Sequence, residues 1–141
     1  MSNKEEIEQL VRQQERAVQL KDIDGAMAHY REDVVSFDVV NTLEKVGIQA
    51  CRERLVSWLS QFPSEFSYNV EQRSVIASDD LGFCYSFNHV KGVVAGGDEI
   101  DMRWRSTTCF QKVQEQWMIT HEHSSVPFDP ETGKALINLK N

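Results

Sequence analysis

The feature that most constrains this chain is a change of hydrophobic period near Phe66. Before this residue, apolar side chains recur at helical spacing, and after it they alternate in the two-residue period of β-strands. Helices followed by a run of strands indicate an α+β fold, in which the N-terminal helices pack against a mainly antiparallel sheet. A long sheet must twist, so we expect it to curl around the helices and to leave a cavity.

The first half of the chain is predicted to contain three helices. Ser2 followed by Glu5 is a capping-box pattern, and it precedes an amphipathic segment. A short second helix can begin at Asp22 or Asp24, since aspartate is a preferred N-cap residue. The third helix is predicted to follow Gly47, where an apolar stripe at helical spacing begins.

The strands are predicted from their β-branched and aromatic residues. Segment 34–40 is predicted to be a short strand between the second and third helices. Four longer strands follow Phe66, and three turns separate them, at 78–80, 96–98 and 114–116. Residues 127–141 contain prolines and a glycine and are predicted to be a C-terminal loop and tail. We therefore predict a single domain that covers residues 1–141.

Charge and cysteine usage limit the partners and the compartment. The net charge of −7 argues against binding to nucleic acid or to an anionic membrane surface. The N-terminus is too charged for a secretory signal, and no apolar run approaches the ~20 residues needed to cross a bilayer. The three cysteines are widely spaced, which predicts neither a disulfide framework nor a zinc site. A cytoplasmic location is the simplest expectation.

The last predicted strand, 117–125, carries the clearest candidate site. Strict alternation would place Trp117, Ile119, His121 and His123 on one face. An apolar wall that ends in polar groups is typical of a small-molecule pocket. The two histidines have three interpretations: acid–base or hydrogen-bonding groups of a pocket, structural histidines, or metal ligands. Two histidines without a convincing third ligand are weak evidence for a metal, so none is predicted.

The preceding strand also alternates, with Asp101, Arg103, Arg105 and Thr107 on one face and Trp104 on the other. If the polar face lies inside the curved sheet, Arg105 and Thr107 would bind an anionic or oxygen-rich ligand. In the opposite case the polar face is solvated and the Trp104 face is buried. We favour Arg105 as a pocket residue. Asp101 shares its face with two arginines, which favours a salt bridge over a protonated acid.

Asp38 is the candidate general base. Its neighbours Phe37 and Val39 are apolar and would partly desolvate its carboxylate, which suits a group that exchanges protons. The alternative is an aspartate at the end of a strand that accepts a hydrogen bond from a nearby backbone N–H.

Taken together, these motifs resemble the nuclear transport factor 2-like superfamily, and within it the SnoaL-like and ketosteroid-isomerase-like branch. The matching segments are Asp24–Tyr30 with Asp33–Asp38, Gly47–Ala50, Arg105–Thr107 and Trp117–Ser125. The resemblance implies a cone-shaped fold of the cystatin-like roll type, with the N-terminal helices packed in a curled sheet. It also implies a SnoaL-like domain over the whole chain.

The resemblance further implies a pocket for a small hydrophobic or carbonyl-bearing molecule, with isomerisation or related proton transfer that needs no cofactor. Asp38 resembles the catalytic base of ketosteroid isomerases, and Arg105, His121 or His123 would stabilise the oxyanion. Trp117 would belong to the pocket wall. Those isomerases carry a tyrosine in the first helix, which this chain lacks.

Tyr30, expected on the second helix, is the tyrosine of this chain that comes closest to the position of the tyrosine in those isomerases. The alternative function is a non-catalytic module that binds a small acid or assembles as a dimer. Because relatives pair their sheets, we expect a homodimer, with Trp104 and Phe110 as candidates for the outer face.

Overall fold

The computed structural model describes residues 1–140 of the chain. These residues form three helices and six strands. The helices are α1 (Asn3–Gln19), α2 (Ile23–Met27) and α3 (Ile48–Leu59). The strands are β1 (Tyr30–Phe37), β2 (Lys45–Val46), β3 (Ser67–Ala77), β4 (Leu81–Val93), β5 (Glu99–Val113) and β6 (Gln116–Ser125). Among the described residues, no helix has the length and apolar character required to span a bilayer.

The predicted helix starts are confirmed. The Ser2 hydroxyl accepts a hydrogen bond from the Glu5 N–H at 3.1 Å, and the Glu5 side chain accepts one from the Ser2 N–H, which completes the capping box of α1. Asp22 is the cap of α2, since its side chain accepts a hydrogen bond from the Gly25 N–H. Gly47 precedes α3 with a φ of 92°, a backbone conformation that favours glycine.

Two elements differ from the sequence prediction. Tyr30 is the first residue of β1 and does not belong to α2, because its backbone pairs in parallel with Ile119 of β6. The predicted connection after β1 contains the short strand β2, whose Val46 pairs with Val35. Both differences arise from pairing with distant strands, which local propensity does not encode.

The six strands form one sheet in the order β2-β1-β6-β5-β4-β3. β1 and β6 pair in parallel, and every other neighbouring pair is antiparallel. The helices precede the long strands in the chain and pack on one face of the sheet, which we call the inner face. The predicted α+β class, with N-terminal helices against a mainly antiparallel sheet, is confirmed.

The core lies between the inner face and the helices. Its most enclosed side chains are at most 1% exposed and include Ile7 of α1, Val34 of β1, Phe110 of β5 and Ile119 of β6. Gly82 allows α1 to lie close to β4, since a Cβ at this position would come within 2.6 Å of Ile7 Cδ1. Phe110 therefore belongs to the core and not to the outer face, which corrects the expectation from the sequence.

A β-bulge at Thr120 decides which side chains of β6 face inward. Cys109 of β5 pairs with His121, and the next residue, Phe110, pairs with Ile119, so Thr120 is the extra residue. Ahead of the bulge, Ile119 faces the core. Beyond it the alternation is reversed, and Glu122 faces inward where strict alternation predicted His121.

Candidate ligand cavity and proton-transfer site

A cavity of about 610 Å³ lies between the helices and the inner face of the sheet. This volume is within the range of small-molecule sites. The helical side contributes apolar side chains such as Val11, Val18 and Met27, together with the charged side chains of Glu15 and Arg54. The sheet side carries carboxyl and hydroxyl groups beside aromatic and aliphatic ones.

An aromatic cluster closes one end of the cavity. Its members are Trp58, Phe62, Phe66, Tyr68 and Trp104. The Trp58 ring meets each of the other four nearly edge-on, with centroid distances between 5.9 and 6.1 Å. Because Trp104 belongs to this cluster and lines the cavity, it is an inward residue and not the outer-face residue expected from the sequence.

Glu122 lies on the sheet wall among three polar neighbours. The Tyr30 hydroxyl donates a hydrogen bond to Glu122 Oε2 at 2.6 Å. Gln14 Nε2 in turn donates to the Tyr30 oxygen at 3.2 Å. Ser36 also hydrogen-bonds to the Glu122 carboxylate. The carboxylate is therefore held in one orientation while it borders the cavity.

Burial is the main influence on the protonation of this pair. It raises the pKa of Glu122, while the hydrogen bonds from Tyr30 and Ser36 act in the opposite direction. Burial, together with the neighbouring Glu122 charge, raises the pKa of Tyr30 well above its usual value. Tyr30 therefore stays protonated and acts as a donor, while Glu122 is the group that can exchange a proton.

Asp38 also lines the cavity, beside the loop residues Val39–Asn41. Arg54 of α3 donates from Nε to Asp38 Oδ2 at 2.7 Å, and the Val39 N–H donates to Oδ1 at 2.6 Å. Its side chain is 18% exposed. Both carboxylate oxygens are thus engaged, one of them by a cation.

The combination of helices, curled sheet and cavity matches a known family. Residues 7–129 match the model of the SnoaL-like domain. The chain belongs to the SnoaL-like domain family. The resemblance seen in the sequence is thereby confirmed. None of the curated proteins compared with the SnoaL-like chain matches it.

Several solved structures share its architecture. An NTF2-like protein of unknown function from Pseudomonas putida KT2440 is 30% identical, with 98% of this chain and 96% of that chain covered and a TM-score of 0.88. A ketosteroid isomerase-like protein from Erwinia carotovora atroseptica is 19% identical, with coverage of 88% and 95% and a TM-score of 0.73. The association domain of CaMKII from C. elegans is 15% identical, with coverage of 86% and 94% and a TM-score of 0.67. The last two show the fold alone.

The polar residues predicted on β5 lie outside the cavity of the SnoaL-like domain. Arg105 and Thr107 point to the outer face of the sheet, where Arg105 Nε donates to the Ser125 hydroxyl at 3.1 Å. The preference for Arg105 as a pocket residue is therefore wrong. The physical reason is that the Trp104 side of β5 is the apolar side and packs toward the helices.

Asp101 is on the same outer face, and its partner is His89, at 2.6 Å from His89 Nε2. This hydrogen bond lowers the pKa of Asp101. The sequence predicts a salt bridge between Asp101 and an arginine of the same face. The partner of Asp101 is instead His89, and Arg103 Nε donates to Glu71 Oε1 at 3.3 Å.

The two histidines of β6 also lie on the outer face. His121 Nδ1 donates to the Val35 carbonyl at 2.6 Å, and both imidazoles meet the Phe37 ring edge-on at 4.7 and 5.3 Å. Neither lines the cavity, so the bulge removes them from direct contact with a ligand there.

Trp117 lies in the core and is 4% exposed, beside the Lys112 ammonium, which is 5.7 Å from its ring centroid. It does not line the cavity. Tyr30 and Asp38 are thus the two predicted site residues that the structure places at the cavity.

Glu122 and Arg54 were missed by the sequence interpretation. Arg54 had a usable signal, because it is three residues after Cys51 and four before Trp58, on the apolar stripe of α3. Glu122 had no such signal. Strict alternation places it on the face opposite Trp117, and only the bulge at Thr120 turns it toward the cavity.

The charges around the cavity favour neither an anion nor a metal ion. Arg54 is the one cation among the described lining residues, and the carboxylates Glu15, Asp38 and Glu122 outnumber it. Within residues 1–140, no three histidine, cysteine, aspartate or glutamate side chains are grouped as they would be around a metal ion.

Proposed function

We propose that this SnoaL-like protein binds a small, mainly apolar, carbonyl-bearing molecule in the cavity and exchanges a proton with it. The observation that carries the proposal is the half-buried Glu122 carboxyl, which borders the cavity and is oriented by the Tyr30 hydroxyl at 2.6 Å. A carboxyl whose pKa is raised by burial is a stronger base once it is ionised.

The proposed step is proton abstraction next to a carbonyl. The Glu122 carboxylate takes a proton from the carbon adjacent to the ligand carbonyl, and the bonding electrons form the C=C–O⁻ enolate. Return of the proton to a different carbon completes an isomerisation, and return to the same carbon completes an exchange. The Thr108 hydroxyl lies opposite Glu122 on β5 and is placed to donate a hydrogen bond to the enolate oxygen.

Asp38 is the second candidate for the base. Both of its oxygens accept hydrogen bonds, from Arg54 and from the Val39 N–H, which suits a role in fixing the loop beside the cavity. The roles of the two carboxylates are separable by experiment, because each can be replaced by its amide without a change in size.

The test is deuterium exchange at the carbon next to the carbonyl of 2-tetralone in D₂O, followed by NMR. Glu122→Gln should lower the protein-catalysed rate by about 10²-fold or more, the usual contribution of a general base. Asp38→Asn should retain most of the rate. Glu115→Gln is the matched control, since its side chain is 94% exposed in a turn.

Three outcomes decide against the assignment. Equal rates for the wild type and Glu122→Gln would remove Glu122 as the base. A loss confined to Asp38→Asn would transfer the role to Asp38, as the sequence first suggested. No exchange above the buffer rate with any variant would favour a binding module without catalysis.

Assembly as a homodimer is supported by a separate observation. Phe37, Phe83 and Tyr85 project from the outer face with exposures of 36, 37 and 48%. Side chains of this kind that share one sheet face are typical of an interface. The structural likeness to an association domain is consistent with pairing. Tyr85→Glu should shift the mass measured by light scattering towards the monomer, whereas a wild type that is already monomeric would overturn the proposal.

A further inference from the structure

Three serines form a row across the sheet wall of the cavity. Ser86 of β4 pairs directly with Ser106 of β5, and Ser106 pairs directly with Ser124 of β6. All three line the cavity. A row of directly paired residues on one face brings their side chains side by side, so the hydroxyl groups form a line perpendicular to the strands.

Two of these hydroxyls are not used within the protein. Ser86 donates to Asn88 Oδ1 at 2.8 Å. Among the hydrogen bonds of the described residues, none involves the side chain of Ser106 or Ser124. Each of these hydroxyls offers one donor and two acceptor positions. Because both serines are half-buried and line the cavity, their hydroxyls are accessible to polar atoms along one edge of a ligand.

The spacing of the row restricts the ligand further. Neighbouring strands are about 4.8 Å apart, a separation that matches the distance between two meta oxygens of a benzene ring. Ortho oxygens are closer together and para oxygens are farther apart. On the helical side the cavity has an apolar patch that includes Val11, Val18 and Leu55, beside the polar side chains of Gln14, Glu15 and Arg54. A flat ring can pack on this patch with its oxygens toward the serine row.

We propose that the serine row, Ser86–Ser106–Ser124, binds an aromatic ring that carries two oxygen substituents in the 1,3 arrangement. The proposal rests on the proposed function, since it names the class of ligand for the same cavity. Glu122 and Thr108 form the next row of the sheet, about 7 Å away along the strands. A second ring fused to the first would therefore reach the carboxylate.

The experiment is isothermal titration with three probes that differ only in their oxygens: 1,3-dihydroxynaphthalene, 2,3-dihydroxynaphthalene and 2-naphthol. The wild type should bind the 1,3 isomer about tenfold more tightly than either of the others, as expected for one additional well-placed hydrogen bond. The double variant Ser106→Ala/Ser124→Ala should bind all three probes with similar affinity.

The matched control is Thr107→Ala/Ser125→Ala, which removes two hydroxyls from the outer face of the same strands and should keep the preference. Equal affinity of the wild type for the 1,3 and 2,3 isomers would overturn the proposal, as would a preference that survives in Ser106→Ala/Ser124→Ala. Absence of binding by the 1,3 isomer would overturn it too.

The two proposals fail in different ways. Glu122→Gln should lose proton exchange on 2-tetralone and keep the preference for the 1,3 isomer. A protein that exchanges protons without this preference retains the proposed function and loses only the assignment of the serine row.

Discussion

The inner and outer faces of β5 both carry hydroxyl groups, yet their surroundings differ. On the inner face, Ser106 and Thr108 are half-buried and border the cavity. On the outer face, Arg105 and Thr107 are exposed, and the hydrogen bond from Arg105 to Ser125 is open to solvent. An exposed ion pair or hydrogen bond contributes little because water competes for both partners. The hydroxyl groups beside the cavity are less accessible to water, so they are better placed to select what occupies it.

The facing of β6 beyond Ile119 depends on Thr120, the extra residue of the bulge. Deletion of Thr120 would join Ile119 directly to His121, so the alternation becomes regular while Glu122 stays inward and both histidines stay outward. Because no side chain changes face, we expect a loss of only about 1–3 kcal/mol in the free energy of unfolding. Urea denaturation followed by circular dichroism measures this loss.

The control for the deletion is Thr120→Ala, which keeps the chain length and removes a hydroxyl that donates to the Cys109 carbonyl at 3.4 Å. It should cost no more than about 1 kcal/mol. A deletion variant that loses proton exchange, while Thr120→Ala keeps it, would contradict the assignment of Thr120 as the extra residue.

A second comparison uses one phenylalanine from each face. Phe110 is 1% exposed and Phe83 is 37% exposed. Phe110→Ala should destabilise the protein by about 3–5 kcal/mol, since it leaves a cavity in the core. Phe83→Ala should cost about 1 kcal/mol or less in the monomer, where its ring is partly hydrated. Similar losses for the two variants in thermal denaturation at low protein concentration would contradict the assignment of the faces.

The smallest effect is a pH dependence at Glu122. Burial raises its pKa in the folded protein, so the ionised form is disfavoured there relative to the unfolded chain. Below the pKa of an unfolded glutamate, about 4.3, both states are neutral and no penalty exists. As the pH rises through the higher folded pKa, the folded protein loses stability.

Glu122→Gln removes this penalty, and its melting temperature should exceed that of the wild type by more at pH 8 than at pH 4. Differential scanning calorimetry at the two pH values measures the difference. Glu115→Gln, a change at an exposed side chain, should show no such trend. A gain for Glu122→Gln that is the same at both pH values would indicate a cause other than ionisation.

Much of the fold was predictable because its signals are local. The capping box at Ser2, the cap at Asp22 and the glycine before α3 each depend on a few neighbouring residues. The turns between the long strands are marked by their own residues. The family resemblance also depended on short motifs, and it was confirmed over residues 7–129.

The candidate site was predictable only in part. Asp38 and Tyr30 were named from the sequence and do line the cavity. The partner of Asp38 was not predictable, because Arg54 comes from a different element. The choice between the two faces of β5 was left open by its sequence, since both faces contain polar and apolar side chains.

By itself, the sequence determined the order of helices and strands, the capping and turn residues, and the membership of a SnoaL-like family. Tertiary structure alone decided which polar groups face the cavity. The residues from Trp117 to Ser125 alternate without interruption, and nothing in them marks Thr120 as the extra residue. A bulge exists only in the register between two paired strands, so Glu122 became a cavity residue through β5 and not through its own neighbours.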